Sequence, residues 1–109
     1  MSTDKTYLAY ILDQLSFAAK DIATRPMMGE YLLYYRGKLI GGLYDNRLLV
    51  KPTPSVCALV PDAHLEHPYP GAKPLLLVES TDTPSLLAEL LAALDADLSA
   101  TGRKRSSAS

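Results

Sequence analysis

Two histidines, His64 and His67, stand beside Asp62 and Glu66, and side chains of these types can ligate a metal ion. At this spacing the two rings share a face only in a helix, and Pro61 and Pro68 oppose one. No cysteine or third histidine completes a tetrahedral set. The segment reads as a surface loop, and no metal is expected. Cys57, the single cysteine, would be a nucleophile if a histidine lay against it. It carries no local signature of one and reads as a small buried apolar residue on a short helix. The stretch YPGAKP, Tyr69 to Pro74, could cradle an anion with backbone N–H groups and Lys73. It lacks the glycine density and the following helix of a phosphate loop, and reads as a turn.

Arg25, Glu30 and Lys51 form a second candidate. Arg25 leads into one extended segment and Lys51 leaves another, so the three could sit at one end of a sheet. They read either as solvated surface charges, worth little to stability, or as an anchor for a partner's backbone or a small carboxylate ligand. Tyr31, Tyr35, Tyr44, Arg47 and Lys51 form the third candidate, a face of rings and cations. Tyrosine and arginine are enriched in protein interfaces, and rings beside cations can also stack single-stranded nucleic acid. No convergent acid, base and nucleophile set is visible, so the chain reads as non-enzymatic and without a cofactor.

These residues need elements to position them. Tyr7, Leu8, Ile11, Leu12, Leu15, Ala18 and Ile22 recur at helical spacing, which predicts an amphipathic helix from about Asp4 to Lys20. Arg25-Pro26 ends any continuation. Arg36-Gly37 and Asp45-Asn46 suit two-residue hairpin turns. They predict a three-stranded meander over about 29–35, 38–44 and 47–51. Two-residue turns fix its register. Leu32, Tyr34, Leu39, Gly41, Leu43, Leu48 and Val50 then face the core. Tyr31, Leu33, Tyr35, Lys38, Ile40, Gly42, Tyr44, Arg47, Leu49 and Lys51 face the other way, with the Tyr31 ring over Gly42. A one-residue bulge near Gly41-Gly42 would exchange part of these faces.

Thr53-Pro54 and Thr83-Pro84 are helix starts, each a capping hydroxyl followed by proline. The first predicts a short helix over 55–60. The second predicts a long one to about Leu98, with its stripe on Leu87, Leu90, Leu91, Leu94 and Leu98. Leu75 to Val78 is a short apolar run that predicts a strand buried on both faces, and a short strand is expected around Leu65 to Tyr69. Residues 99–109 lack periodicity and read as a disordered tail. The fold class is α+β, an antiparallel meander with N- and C-terminal helices packed on one face.

Composition narrows the functions. The chain has 109 residues, 48% hydrophobic and 21% charged, with a net charge of −1, which suits one globular domain. Arg103, Lys104 and Arg105 are three of the eleven cations, so the remainder sets eight against twelve acidic residues. An acidic body argues against nucleic acid as the main partner. No run reaches the roughly 18 apolar residues of a membrane span, no signal peptide opens the chain, and one cysteine suits a reducing cytoplasm.

The run "ATRPMMGEYLLYYRGKLIGGLYDNRLLVKP" resembles the N-terminal domain of the bacterial TfoX/Sxy family. Arg25, Met27, Met28 and Gly29 match its Arg-x-Met-Phe-Gly-Gly lead-in, Tyr34 to Lys38 its Tyr-x-x-Gly-Lys hairpin, and Leu48 to Lys51 its Leu-x-x-Lys strand end. Tyr69 to Val78 is similar to its Tyr-Pro-Gly-Ala-Lys-Pro loop and strand. Met28 stands for the usual phenylalanine and Glu30 for a second glycine. The chain stops where longer members continue into a helical domain. The resemblance spans about residues 4–98 and implies a stand-alone domain over 1–98 with a fold related to secretion chaperones. It also implies a regulatory or adaptor role by protein contact, of transcriptional or competence type, without transferring the longer members' own competence role; the tyrosine and cation face is where a heteromeric partner or a second copy would bind. Nucleic-acid binding through the tyrosine and cation face is the alternative.

Overall fold

The structure is a computed structural model that describes residues 3–18, 20–79 and 81–108. Helix α1 (Lys5–Ala18) leads into four strands, β1 (Ile22–Met27), β2 (Glu30–Tyr35), β3 (Lys38–Leu43) and β4 (Leu48–Val50). Helix α2 (Pro54–Leu59), strands β5 (Leu65–Glu66) and β6 (Leu75–Val78), and helix α3 (Pro84–Ala108) complete the chain. The six strands form one sheet in the order β1-β2-β3-β4-β6-β5, and every pairing is antiparallel. The helices form a layer over one face, with α3 packed on both α1 and α2. The expected α+β class is therefore observed.

Strand β1 lies outside the expected meander. It pairs with β2 through Arg25↔Leu32 and Met27↔Glu30. Pro26 fits because β1 is an edge strand. The Arg36 N–H donates to the Asp21 carbonyl at 3.1 Å, which sets the phase of the ladder. Residues 21, 23, 25 and 27 bond inward to β2, and Ile22, Thr24 and Pro26 turn their backbone groups outward. The N–H that proline lacks would have pointed to solvent.

Three tight hairpins build this half of the sheet. Met28 and Gly29, Arg36 and Gly37, and Asp45 and Asn46 each carry positive φ at both central positions. That is the type I′ geometry whose twist matches the flanking strands. The β3–β4 register is the expected one, with Gly41↔Val50 and Leu43↔Leu48. Between β2 and β3 the register starts as expected, at Tyr35↔Lys38 and Tyr34↔Leu39, then shifts to Leu33↔Gly41. Ile40 is the extra residue of a β-bulge.

The bulge moves β2 to the opposite phase from the one expected. Leu33 is fully buried in the core together with Ile40 and Leu43, and Tyr31 and Tyr35 pack against them. Leu32, Tyr34 and Leu39, expected inside, are only half-buried. Both glycines have spatial reasons. A Cβ on Gly41 would collide with the Leu49 carbonyl oxygen, and one on Gly42 would meet the Tyr31 carbonyl at 2.6 Å and the Tyr44 ring at 2.8 Å. The ring over Gly42 is thus Tyr44, not Tyr31.

The core joins Ile11 and Leu15 of α1, Val56 of α2 and Leu76 and Val78 of β6 to the leucines of α3. Strand β6 buries only these alternate residues, while Leu75 and Leu77 are half-exposed, because no helix covers the second face. Thr53 occupies the N-cap position of α2 with Pro54 behind it, yet its hydroxyl makes no capping bond. The cap comes from α3, where the Asp97 carboxylate accepts from the Ser55 N–H and Oγ, both at 2.8 Å. Cys57 is exposed, contrary to expectation, since on so short a helix Val56 takes the inward position. Helix α3 continues to Ala108 instead of ending near Leu98, so the tail read as disordered extends a docked helix. A helix already nucleated by packing extends without a second nucleation cost.

Candidate functional site: a groove at the turn end of the open sheet face

The face of the sheet away from the helices carries Leu32, Tyr34, Leu39 and Leu49. The β5–β6 connection folds against one end of it. His67 Nδ1 lies 2.7 Å from the Ala72 carbonyl. The Ala72 N–H donates to the Tyr69 carbonyl at 3.1 Å, with Pro70 and Gly71 between them and Gly71 at φ 88°. Proline then glycine with positive φ is a type II turn, so YPGAKP is the turn expected of it. The loop places the Tyr69 ring 6.3 Å from that of Tyr44.

Between this loop and the Met28-Gly29 turn lies a groove of about 800 Å³. Its walls are Met27, Met28, Pro68, Tyr69 and Pro70, and Glu30, Asp45, Arg47 and His67 supply its polar groups. Met28 is 96% exposed and Tyr69 52%. Several polar groups are engaged by the fold. Glu30 Oε1 accepts from Thr3 Oγ1 at 2.8 Å and from the Asp45 N–H at 3.1 Å. Arg47 Nε donates to the Tyr44 carbonyl at 3.0 Å, and its Nη1 bonds Glu66. The Thr3 N–H donates to the Gly29 carbonyl at 3.1 Å, and Thr3 Oγ1 lies 3.3 Å from the Asn46 N–H. The segment before α1 therefore ties the β1–β2 turn to the β3–β4 turn.

The candidates from sequence do not share one surface. Tyr31 and Tyr35 lie on the helix side, packed on the core. Tyr44 lies on the open side but is buried. Its phenol is pushed above the ordinary tyrosine range, first by burial and then by Tyr69, Glu30 and Tyr34. Arg25 is exposed on the edge strand, its Cζ 5.9 Å from the centre of the Tyr34 ring, a cation–π distance. Lys51 follows β4, and its N–H donates to the Ile40 carbonyl at 2.9 Å. Only Glu30 and Arg47 of the seven line the groove. The continuous tyrosine and cation platform that would stack nucleic acid is not assembled, because the bulge turns β2 over. Among the described residues, no group of three or more His, Cys, Asp or Glu could hold a metal ion.

Sequence reasoning missed Met28, Asp45 and Tyr69 as neighbours. A sequence signal existed for Met28: the pair Met28-Gly29 sits between two extended runs, and a large apolar residue is unusual in such a turn.

The chain is similar to the "Uncharacterized 12.7 kDa protein in trpE 5'region" of Spirochaeta aurantia, with 41% identity over 73 residues. The match covers 67% of this chain and 63% of that relative, so the chain spans less than two thirds of the relative's length. No family model matches the chain. No solved structure matches it.

Proposed function

We propose that this protein is a small, non-enzymatic regulatory or adaptor module that acts by protein contact, and that the groove is its contact surface. The observation that carries this reading is Met28. Its backbone is left-handed, at φ 52°, and its side chain is 96% exposed. A left-handed L-residue costs roughly 1–2 kcal/mol, and an exposed thioether recovers none of this by burial in the lone chain. Asparagine or glycine would make the turn with less strain. A long adaptable apolar side chain has a physical reason to stand there when a partner covers it. The bonds holding Glu30, Arg47 and His67 in the fold favour contact over chemistry. The motif resemblance to the TfoX/Sxy N-terminal domain supports a regulatory setting, competence-type or otherwise transcriptional. The unpaired Cys57 fits a cytoplasmic one. Among the described residues, no helix is long and apolar enough to cross a membrane.

Peptide-display panning on the full chain, with Met28→Asp as counter-selection, tests this reading. Sequences retained by the wild type and lost by the variant are expected, with both proteins folded by circular dichroism. Sequences that bind the two equally would move the contact surface away from the groove.

A further inference from the structure

The charges and shape of the groove say what kind of segment it takes. Its lining holds two carboxylates, Glu30 and Asp45, against one cation, Arg47. Arg47 is already neutralised by Glu66. Glu30 has one oxygen engaged by Thr3 and the Asp45 N–H. Asp4, hydrogen-bonded to Asn46 in the adjoining turn, adds a further acidic group at the same end of the sheet. Lys73, in the same loop as Tyr69, is exposed and lies outside the lining. The uncompensated charge of the groove is therefore negative.

Its walls are apolar and its volume of about 800 Å³ is in the range of sites that enclose a few side chains. That suits a short segment better than the broad face of a second globule, which needs about 800 Å² per partner. The half-exposed Tyr69 ring offers a face to a cation beside an apolar side chain. This chain's own basic segment, Arg103 to Arg105, has no large apolar residue near it and so lacks the anchor.

We propose that the groove takes a short peptide segment in which a large apolar side chain is flanked by lysine or arginine, the apolar group covering Met28 and Tyr69 and the cation meeting Asp45 and Glu30. The inference rests on the protein-contact reading and goes on to name the partner's chemistry.

Fluorescence titration of the full chain with two labelled probes tests it. Each is a twelve-residue peptide with a central leucine pair, one flanked by lysines and the other by glutamates. The lysine probe is expected to bind at least tenfold more tightly, and to weaken as salt rises from about 50 to about 500 mM. Asp45→Asn keeps a residue that tolerates positive φ and should weaken the lysine probe at least threefold without loss of folding. Met28→Asp should remove the leucine contribution. If the glutamate probe binds as well or better, and still depends on Met28, the cationic partner is wrong and the protein-contact reading stands. If neither probe binds, both fall. A dimer by light scattering that Met28→Asp disperses would make a second copy the occupant and overturn the peptide. Retention on single-stranded oligonucleotide that Met28→Asp abolishes would overturn it too.

Discussion

Asp97 of α3 caps α2 through space, its two carboxylate oxygens taking the Ser55 N–H and the Ser55 hydroxyl at 2.8 Å each. Two residues earlier on the same helix, Asp95 bonds Lys38 at 2.8 Å and Arg36 at 3.5 Å. The middle of one helix thus holds both a neighbouring helix and the β2–β3 hairpin by carboxylates.

These carboxylates predict an acid-sensitive fold. Both lie below the ordinary carboxylate range, Asp95 chiefly through the Lys38 hydrogen bond and Asp97 chiefly through the Ser55 N–H. A carboxyl whose pKa is lowered by folding stabilises the native state above its unfolded pKa, here 3.8. That contribution disappears as pH falls through the lower folded value. The double variant Asp95→Asn, Asp97→Asn should have a lower urea midpoint than wild type at about pH 7, and the gap should narrow toward about pH 2.

The bulge predicts which side chains carry the core. Leu33→Ala and Ile40→Ala should each cost about 2–5 kcal/mol, as truncation of buried aliphatics does. Leu32→Ala, half-exposed on the other face, should cost about 1 kcal/mol. Equal losses at Leu32 and Leu33 in denaturant titrations would place the register shift elsewhere.

Met28 predicts opposite effects on folding and on contact. Met28→Asn relieves the left-handed turn and should raise stability by about 0.5–1 kcal/mol. The same change should weaken any ligand selected by panning. Thermal melts and titrations on one preparation measure both.

At high pH the direction reverses from that of the carboxylates. Burial raises the Tyr44 phenol above the ordinary tyrosine value of 10.0. The native state therefore keeps this stabilisation below that value and loses it as pH rises through the higher folded pKa. Tyr44→Phe should unfold less readily than wild type in alkali, and ultraviolet titration of the wild type should show late-ionising tyrosine that the variant lacks.

Much of the architecture is visible in the residues. Helical spacing marks α1 and α3, and Arg36-Gly37 and Asp45-Asn46 mark two hairpins with the β3–β4 register. Strand β1 is hidden because Pro26 reads as a terminator, and only its place at the edge makes it harmless. The inward face of β2 is hidden because one extra residue at Ile40 reverses its phase, and alternation alone cannot locate that residue. Cys57 looks buried by composition, but its inward neighbour Val56 takes the only buried place on α2. The candidate site was legible at Glu30 and Arg47. Its walls come from Met28 and Tyr69, far apart in the chain, and no local pattern reports a long-range approach.

The Thr3 N–H bonds the Gly29 carbonyl beside Met28, so the polypeptide passes the mouth of the groove just before α1 begins. An affinity handle added upstream of Thr3 is tethered next to the candidate groove at high local concentration. Capture and display experiments on this protein should therefore keep the handle off that end of the chain.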